Sequence, residues 1–220
     1  LVALQRDPPR RLPPAQLNER VAALAQRAMD LADGFLALAR AEALDRGSFE
    51  VFDLRDAVQD AVDETWAAAR LADVTLQVEA PQAAEVLGNR GLLARAAINL
   101  LRNAIRFAPP GSEVRIELGD AGGSPELRVI DAGPGVDPAL RARLFERFQR
   151  GPQATAANAL AGQSGGHGLG LALVHVVATR HGGEAGRRDR RGGLAGSEVH
   201  PRLPAPRGAG EPNHGGPARG

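Results

Sequence analysis

The sequence predicts an α+β protein, and three observations carry the prediction. Apolar residues recur every three or four positions over residues 17–38, 54–66 and 92–107, the period of a helix packed on one side. Val74, Leu76 and Val78 alternate with polar neighbours, as a half-buried strand requires. Residues 114–118 and 127–130 are two further strand-like runs, and the turn-rich stretch between Gly119 and Pro125 joins them into an antiparallel hairpin.

Taken in order, the first helix places Leu17, Val21, Leu24, Ala28, Leu31, Phe35 and Leu38 at alternating spacings of four and three, with Glu19, Arg20, Arg27, Asp30 and Arg40 off that seam. This is the a/d pattern of a coiled coil or helical bundle, so the helix is expected to dimerise. Pro8, Pro9, Pro13 and Pro14 cannot lie inside a helix, and residues 1–6 read as the stub of an earlier helix entering a turn. Gly47 and Ser48 break the pattern. Asp53 then offers a cap for a second helix, whose apolar face includes Leu54, Val58, Ala61, Val62 and Trp66. Pro81 closes the strand at 74–78. The third helix carries a stripe of Leu93, Ala97, Leu100, Leu101 and Ala104 and stops at Pro109-Pro110-Gly111. Beyond the hairpin, residues 139–148 are expected to form a short helix. Residues 153–165, biased to Ala, Gly, Gln, Ser and Asn without a period, are expected to be mobile. Residues 169–180 make the last helix, ended by His181-Gly182-Gly183.

Composition narrows the chemistry. Of 220 residues 43% are apolar but only 3% aromatic, so the core must be aliphatic. The chain has no Cys, which excludes disulfides, thiolate metal ligands and thiol nucleophiles. It contains neither an apolar run long enough to span a bilayer nor an opening signal sequence. Residues 187–220 hold seven Arg against three acidic residues, with 8 Gly and 5 Pro. Gly, Pro and Arg without interleaved aromatics fit a disordered basic end better than a nucleic-acid surface.

Several polar residues stand where a core needs none. Asn99 and Asn103 are four apart in the third helix, so both project from one face toward a common ligand or into local hydrogen bonds. Arg106 adds a fork suited to phosphate oxygens on nearly the same face. Asp131 ends a strand and opens Asp131-Ala132-Gly133-Pro134-Gly135, a turn that is either a plain hairpin or a place where backbone approaches a planar ring, because Gly133 and Gly135 carry no Cβ. Gly166-His167-Gly168-Leu169-Gly170 opens the last helix, and free N–H groups there can hold phosphate. The spacing fits neither a P-loop nor a Rossmann fingerprint.

In this order the parts resemble the ATP-binding domain of sensor histidine kinases, from about Leu17 to about Gly186. The resemblance implies a two-layer α/β sandwich of the Bergerat type, preceded by part of a dimerising helical hairpin. It implies ATP and Mg²⁺ as ligands. Asn103 matches the position that holds Mg²⁺, Arg106 one that meets the phosphates, and Phe107 one beside the adenine. Asn99 stands where related ATPases carry a Glu acting as general base; an amide cannot take a proton from water, which favours transfer over hydrolysis. Asp131 matches the acceptor for the adenine amine, with Gly133 and Gly135 against the ring and Gly166, Gly168, Leu169 and Gly170 at the phosphates. Phe145 and Phe148 match the Phe-rich box that pegs a lid, and Arg147 or Arg150 is a candidate for the γ-phosphate.

On that resemblance, residues 1–46 are expected to form a partial dimerisation hairpin, 47–186 the ATP-binding domain and 187–220 an aberrant tail. The family's accepting histidine belongs upstream of Leu1, and none of His167, His175, His181, His200 and His214 lies in the first helix. His181 reads as a helix-end residue favoured by the dipole. The expected activity is therefore transfer of the ATP γ-phosphoryl group to a histidine supplied in trans. The expected partners are a second copy, an acceptor hairpin and a response-regulator receiver domain, in the cytoplasm. The alternatives are an inactive nucleotide-binding or dimerisation module and a serine/threonine kinase of the anti-sigma type. After Gly183 the family needs two more strands, but no alternating apolar run follows, and Pro201 would interrupt a ladder.

Overall fold

The computed structural model describes residues 13–120, 122–149, 167–189 and 197–204. Its elements are α1 (Pro14–Glu42), a 3-10 turn (Arg46–Ser48), β1 (Glu50–Asp53), α2 (Leu54–Leu71), β2 (Thr75–Glu79), β3 (Glu85–Gly88) and α3 (Arg90–Phe107). There follow β4 (Glu113–Asp120), β5 (Pro125–Ile130), a 3-10 segment (Pro138–Arg143), α4 (Gly170–Arg180), β6 (Glu184–Asp189) and β7 (Ser197–Arg202). The main sheet runs β2-β4-β5-β7-β6, and β1 pairs with β3 apart from it. β2 lies parallel to β4, and the other neighbours are antiparallel.

One face of the sheet buries Val114, Ile116, Leu118, Leu127 and Val129. These meet Leu54, Val58 and Ala61 of α2, Leu93, Ala97, Leu100 and Leu101 of α3, and Val174 and Val177 of α4 in one apolar cluster. This is the expected two-layer α/β sandwich. Helix starts are set by side chains that accept otherwise orphaned N–H groups. Asp53 accepts from Arg55 N at 3.0 Å, and Asn89 accepts from Leu92 N at 3.0 Å. Asp53 also accepts from Ala84 N at 3.2 Å, which ties the small sheet to the start of α2. The Arg55 hydrogen bond to Asp53 holds that carboxyl below the usual carboxylate value.

The seam of α1 is divided. Leu38 and Ala41 are buried in the domain core, whereas Leu17, Val21 and Leu24 are 52%, 56% and 61% exposed. Residues 139–148 form no α-helix: a 3-10 segment covers Pro138–Arg143 and turns follow. β1 and β3 were not foreseen, because four residues each are too few for a period to show. The expectations for residues 1–6 and 153–165 lie outside the described residues.

The tail is the largest correction. The expectation that no strand follows Gly183 and that 187–220 is an aberrant extension fails for β6 and β7, which complete the sheet. Pro201 and Leu203 turn inward and are buried, and both line an apolar space with Leu54, Leu93, Leu127 and Val177. On the opposite face the strands are charged. Glu126 of β5 is fully buried, accepts from Arg128 at 2.7 Å, and pairs with Arg202 of β7 at 3.4 Å. Arg202 reaches Glu184 of β6 at 3.6 Å, Arg128 reaches Glu117 of β4 at 3.6 Å, and Arg115 of β4 reaches Glu79 of β2 at 3.6 Å. The network crosses all five strands, so arginine serves on this face where an alternating apolar pattern was sought. Pro201 is tolerated because it pairs with Ala185 of β6, while the β5 ladder bridges Glu126–Arg202 and Val129–Val199 and skips the positions between. Among the described residues it resumes with Leu203 N donating to Pro125 O at 2.8 Å. Residues 205–220 lie outside the description.

Candidate functional site

α3 lays Asn99 and Asn103 on one face, and β5 delivers Asp131 beside it. Asn103 and Asp131 line one small cleft with Leu100, Ala104 and Val129, polar at two points and apolar between. Asp131 is 4% exposed, and its Oδ1 accepts from Gly133 N at 2.8 Å. A Cβ on Gly133 would sit 2.7 Å from the Phe107 carbonyl oxygen, so only glycine lets the turn close against the end of α3. Gly135 has φ +77°, a left-handed turn position. The half-buried amide of Asn103 makes no hydrogen bond to any described residue, which leaves it available to a ligand.

The second half of the site is the start of α4. Unlike α2 and α3, α4 has no side-chain cap among the described residues, so its first N–H groups lack an acceptor of that kind there. Uncapped N–H groups at a helix's positive end form an anion site. A Cβ on Gly170 would lie 2.9 Å from Asn99 Oδ1. Asn99 Nδ2 donates to Arg95 O at 2.8 Å, which leaves Oδ1 as the atom turned to the glycine loop. Gly168 has φ +72° and accepts through its carbonyl from Phe148 N at 2.9 Å; a Cβ there would meet the Phe148 backbone at 2.8 Å. Leu169 is buried and packs on α1 at Gly34, whose own Cβ position is 3.2 Å from Leu169 Cδ1.

The structure thus brings together Asn103 with Asp131, Phe107 with Gly133, Asn99 with Gly170, and Gly168 with Phe148. Arg106 lies over Phe107, its guanidinium carbon 5.0 Å from the ring centroid. Gly166 and Arg150 fall outside the described residues. Arg147 forms an ion pair with Glu42 of α1, so the residue considered for the γ-phosphate is engaged elsewhere. Phe145 packs on His175 at 5.8 Å, and the 56% exposed Phe148 meets Phe35 of α1 at 5.9 Å. The contacts made by Gly34, Phe35 and Glu42 were not legible in sequence, since heptad position says nothing about a partner over a hundred residues away.

His181 also differs from expectation. The dipole at the end of α4 would favour a cation, but burial lowers the imidazole's pKa below its ordinary value, and Arg46 adds to that.

Comparison with known proteins agrees with this geometry. Residues 88–207, more than half of the chain, match the family described as histidine kinase-, DNA gyrase B-, and HSP90-like ATPase. The match runs through β6 and β7, past the limit near Gly186 read from sequence. The sensor-like histidine kinase SenX3 of Mycobacterium tuberculosis is 36% identical over 166 residues, 75% of this chain and 39% of that protein. Among solved structures, the mycobacterial sensor histidine kinase MprB is 31% identical over 71% of this chain and 97% of its own, with a TM-score of 0.59. Full-length ShkA, solved with AMPPNP, is 25% identical over 88% of this chain and 40% of its own, with a TM-score of 0.66. The chain belongs to this ATPase family and, within it, carries the catalytic domain of a sensor histidine kinase. It spans about two fifths of the length of SenX3. Among the described residues no helix is long and apolar enough to cross a membrane.

Proposed function

We propose that the cleft between α3, the 131–135 turn and the start of α4 binds Mg²⁺-ATP and passes the γ-phosphoryl group to a histidine, the kinase step of two-component signalling. The observation that carries this is that α3 sets a half-buried amide, Asn103, beside the buried carboxylate of Asp131 and, one turn earlier, Asn99 beside the uncapped start of α4. Asp131 accepts a hydrogen bond from the adenine amine and disfavours guanine, which has a carbonyl there. Phe107, Gly133 and Gly135 border the ring. Arg106 and the backbone of Gly168, Leu169 and Gly170 are the groups proposed to meet the phosphates.

Among the described residues no group of three acidic or histidine side chains is set to cage a metal, so Mg²⁺ would be held by the Asn103 carbonyl together with nucleotide phosphates, as this ion commonly is. Bound there, it would neutralise phosphate charge. Transfer then needs positioning and charge stabilisation more than covalent help from the protein. The attacking imidazole nitrogen forms the new P–N bond as the bond to the β-phosphate oxygen breaks and ADP leaves. Asn99 cannot act as a base toward water, which keeps hydrolysis slow. The proposed acceptor is a histidine on a separate hairpin, as the family resemblance implies, and an aspartate of a receiver domain takes the group next.

The proposed organisation is a dimerisation helix to residue 46 and a nucleotide-binding unit from 47 through at least 204, working in the cytoplasm. Exposed Leu17, Val21 and Leu24 supply the dimer contact. Leu24→Glu is expected to shift the chain toward monomer in sedimentation while its melting temperature holds; an unchanged dimer would overturn the seam.

The nucleotide reading is tested by melting with and without Mg-ADP. At a hundred times its dissociation constant the ligand should add about 2.7 kcal/mol. Asp131→Asn is expected to abolish the shift, and the parent is expected to label an added acceptor hairpin from radioactive ATP. A cooperative melt with no shift in the parent sinks the proposal.

A further inference from the structure

We infer that His181 is a positioning residue for the nucleotide site, fixing the lengthwise register of α4 on α3 so that the uncapped start of α4 stays beside Asn99. This rests on the proposed nucleotide reading of that site. α3 and α4 run antiparallel and touch at matched points. Gly170 at the start of α4 meets Asn99, and His181 just past its end meets Asn89, the cap of α3. Ten residues of α3 and eleven of α4 separate these points, about 15 Å and about 16.5 Å at 1.5 Å per residue, so the two contacts are the ends of one matched span.

Between them lie Leu93, Ala96 and Ala97 of α3 with Val174, Val177 and Ala178 of α4. Apolar packing holds the helices together but is non-directional and does little to stop one sliding along the other. The directional contact across the pair is made by His181, through Nε2, while Nδ1 fixes the ring on α4. Its Nδ1 lies 2.7 Å from Val177 O, and since a carbonyl only accepts, Nδ1 carries the proton. Nε2 is then the lone-pair nitrogen, and it accepts from Asn89 N at 3.0 Å. Phe49 stacks on the ring at 4.7 Å and 9°, and the absence of a side chain at Gly88 makes room, since a Cβ there would lie 2.5 Å from His181 Cδ2. Both nitrogens are thus committed and the ring is 3% exposed, with no contact to the cleft itself. A residue so placed acts on nucleotide only through helix register.

The test uses the full chain and Mg-ADP. His181→Phe keeps the stacking area and loses both hydrogen bonds, while His181→Gln restores an acceptor near the Nε2 position. Gly88→Ala presses on the intact ring from the other side. His181→Phe and Gly88→Ala are expected to weaken Mg-ADP about tenfold, roughly the worth of one hydrogen bond, and His181→Gln to stay within about threefold of the parent. The Asn99 side-chain amide resonance, recorded without nucleotide, should shift in the first two and return in the third. If the folded variants bind Mg-ADP as the parent does and the Asn99 signal stays in place, His181 is structural only and the inference is wrong. If the parent melts cooperatively yet binds no Mg-ADP, the nucleotide reading fails, and the Asn99 resonance still decides whether His181 sets the register. Should His181→Phe fail to fold, Gly88→Ala and His181→Gln carry both readouts.

Discussion

Glu126→Ala is expected to cost the domain about 3 kcal/mol, the lower end of what removing one partner of a buried ion pair costs. Glu126 is wholly buried, while Arg128 and Arg202 beside it keep 30% and 33% exposure. Water therefore relieves part of the uncompensated positive charge, which is why the lower end applies. For a chain of this length the loss corresponds to a melting temperature lower by about 10 °C. Arg115→Ala, at the exposed end of the same network, should stay within about 0.5 kcal/mol. Acid tests the same group. Burial pushes its carboxyl up, but the Arg128 hydrogen bond and the charges of Arg128, His200 and Arg202 outweigh this, and the net pKa is lowered. A carboxylate depressed in the folded state stabilises above its unfolded pKa and loses that contribution as pH falls through the folded value. The melting temperature should drop below about pH 4.5, and Glu126→Gln should flatten part of that drop. If Glu126→Ala melts with the parent, the network is ornamental and the closing strands are held by Pro201 and Leu203 alone.

That network also explains what the sequence hid. Helices α2, α3 and α4 were legible because each carries a stripe long enough to show its period, and Asp53 was recognisable as a cap. The Asn99, Asn103, Asp131 and glycine-loop positions were legible because polar residues and glycines at fixed offsets stand out in apolar surroundings. β6 and β7 were not, because Arg202 on their polar face finds its buried partner, Glu126, 76 residues upstream. Polar residues such as His200 and Arg202 at a spacing of two read as loop until the facing strand is known. Pro201 misled for a related reason. Its missing N–H matters only on the side where a bond is required, and neither side is assigned until strand order is known. The ion pair between Arg147 and Glu42 was equally invisible, since exposed arginines carry no sequence sign of their partner.

Asn103→Ala should separate chemistry from fold more sharply than any other change in the cleft. The side chain is half-buried and bonds to no described residue, so truncating it strands no donor or acceptor, and alanine is the better helix former by about 0.6 kcal/mol. The melting temperature should hold or rise slightly. Transfer to an added acceptor hairpin should nevertheless fall about 100-fold or more, the scale seen when one electrostatic group is removed from a site of developing charge. The reason assigned is loss of a hard oxygen ligand, so the defect must lie in the response to metal. With ADP fixed, raising Mg²⁺ should increase the parent's thermal shift and leave that of Asn103→Ala flat, while Asn103→Asp, which keeps an oxygen in place, retains the response. Asp131→Asn should behave oppositely, losing nucleotide at every Mg²⁺ concentration because it acts on the base. An Asn103→Ala protein that still responds to Mg²⁺ would move the metal to other ligands and leave Asn103 as an α3 residue that merely lines the cleft.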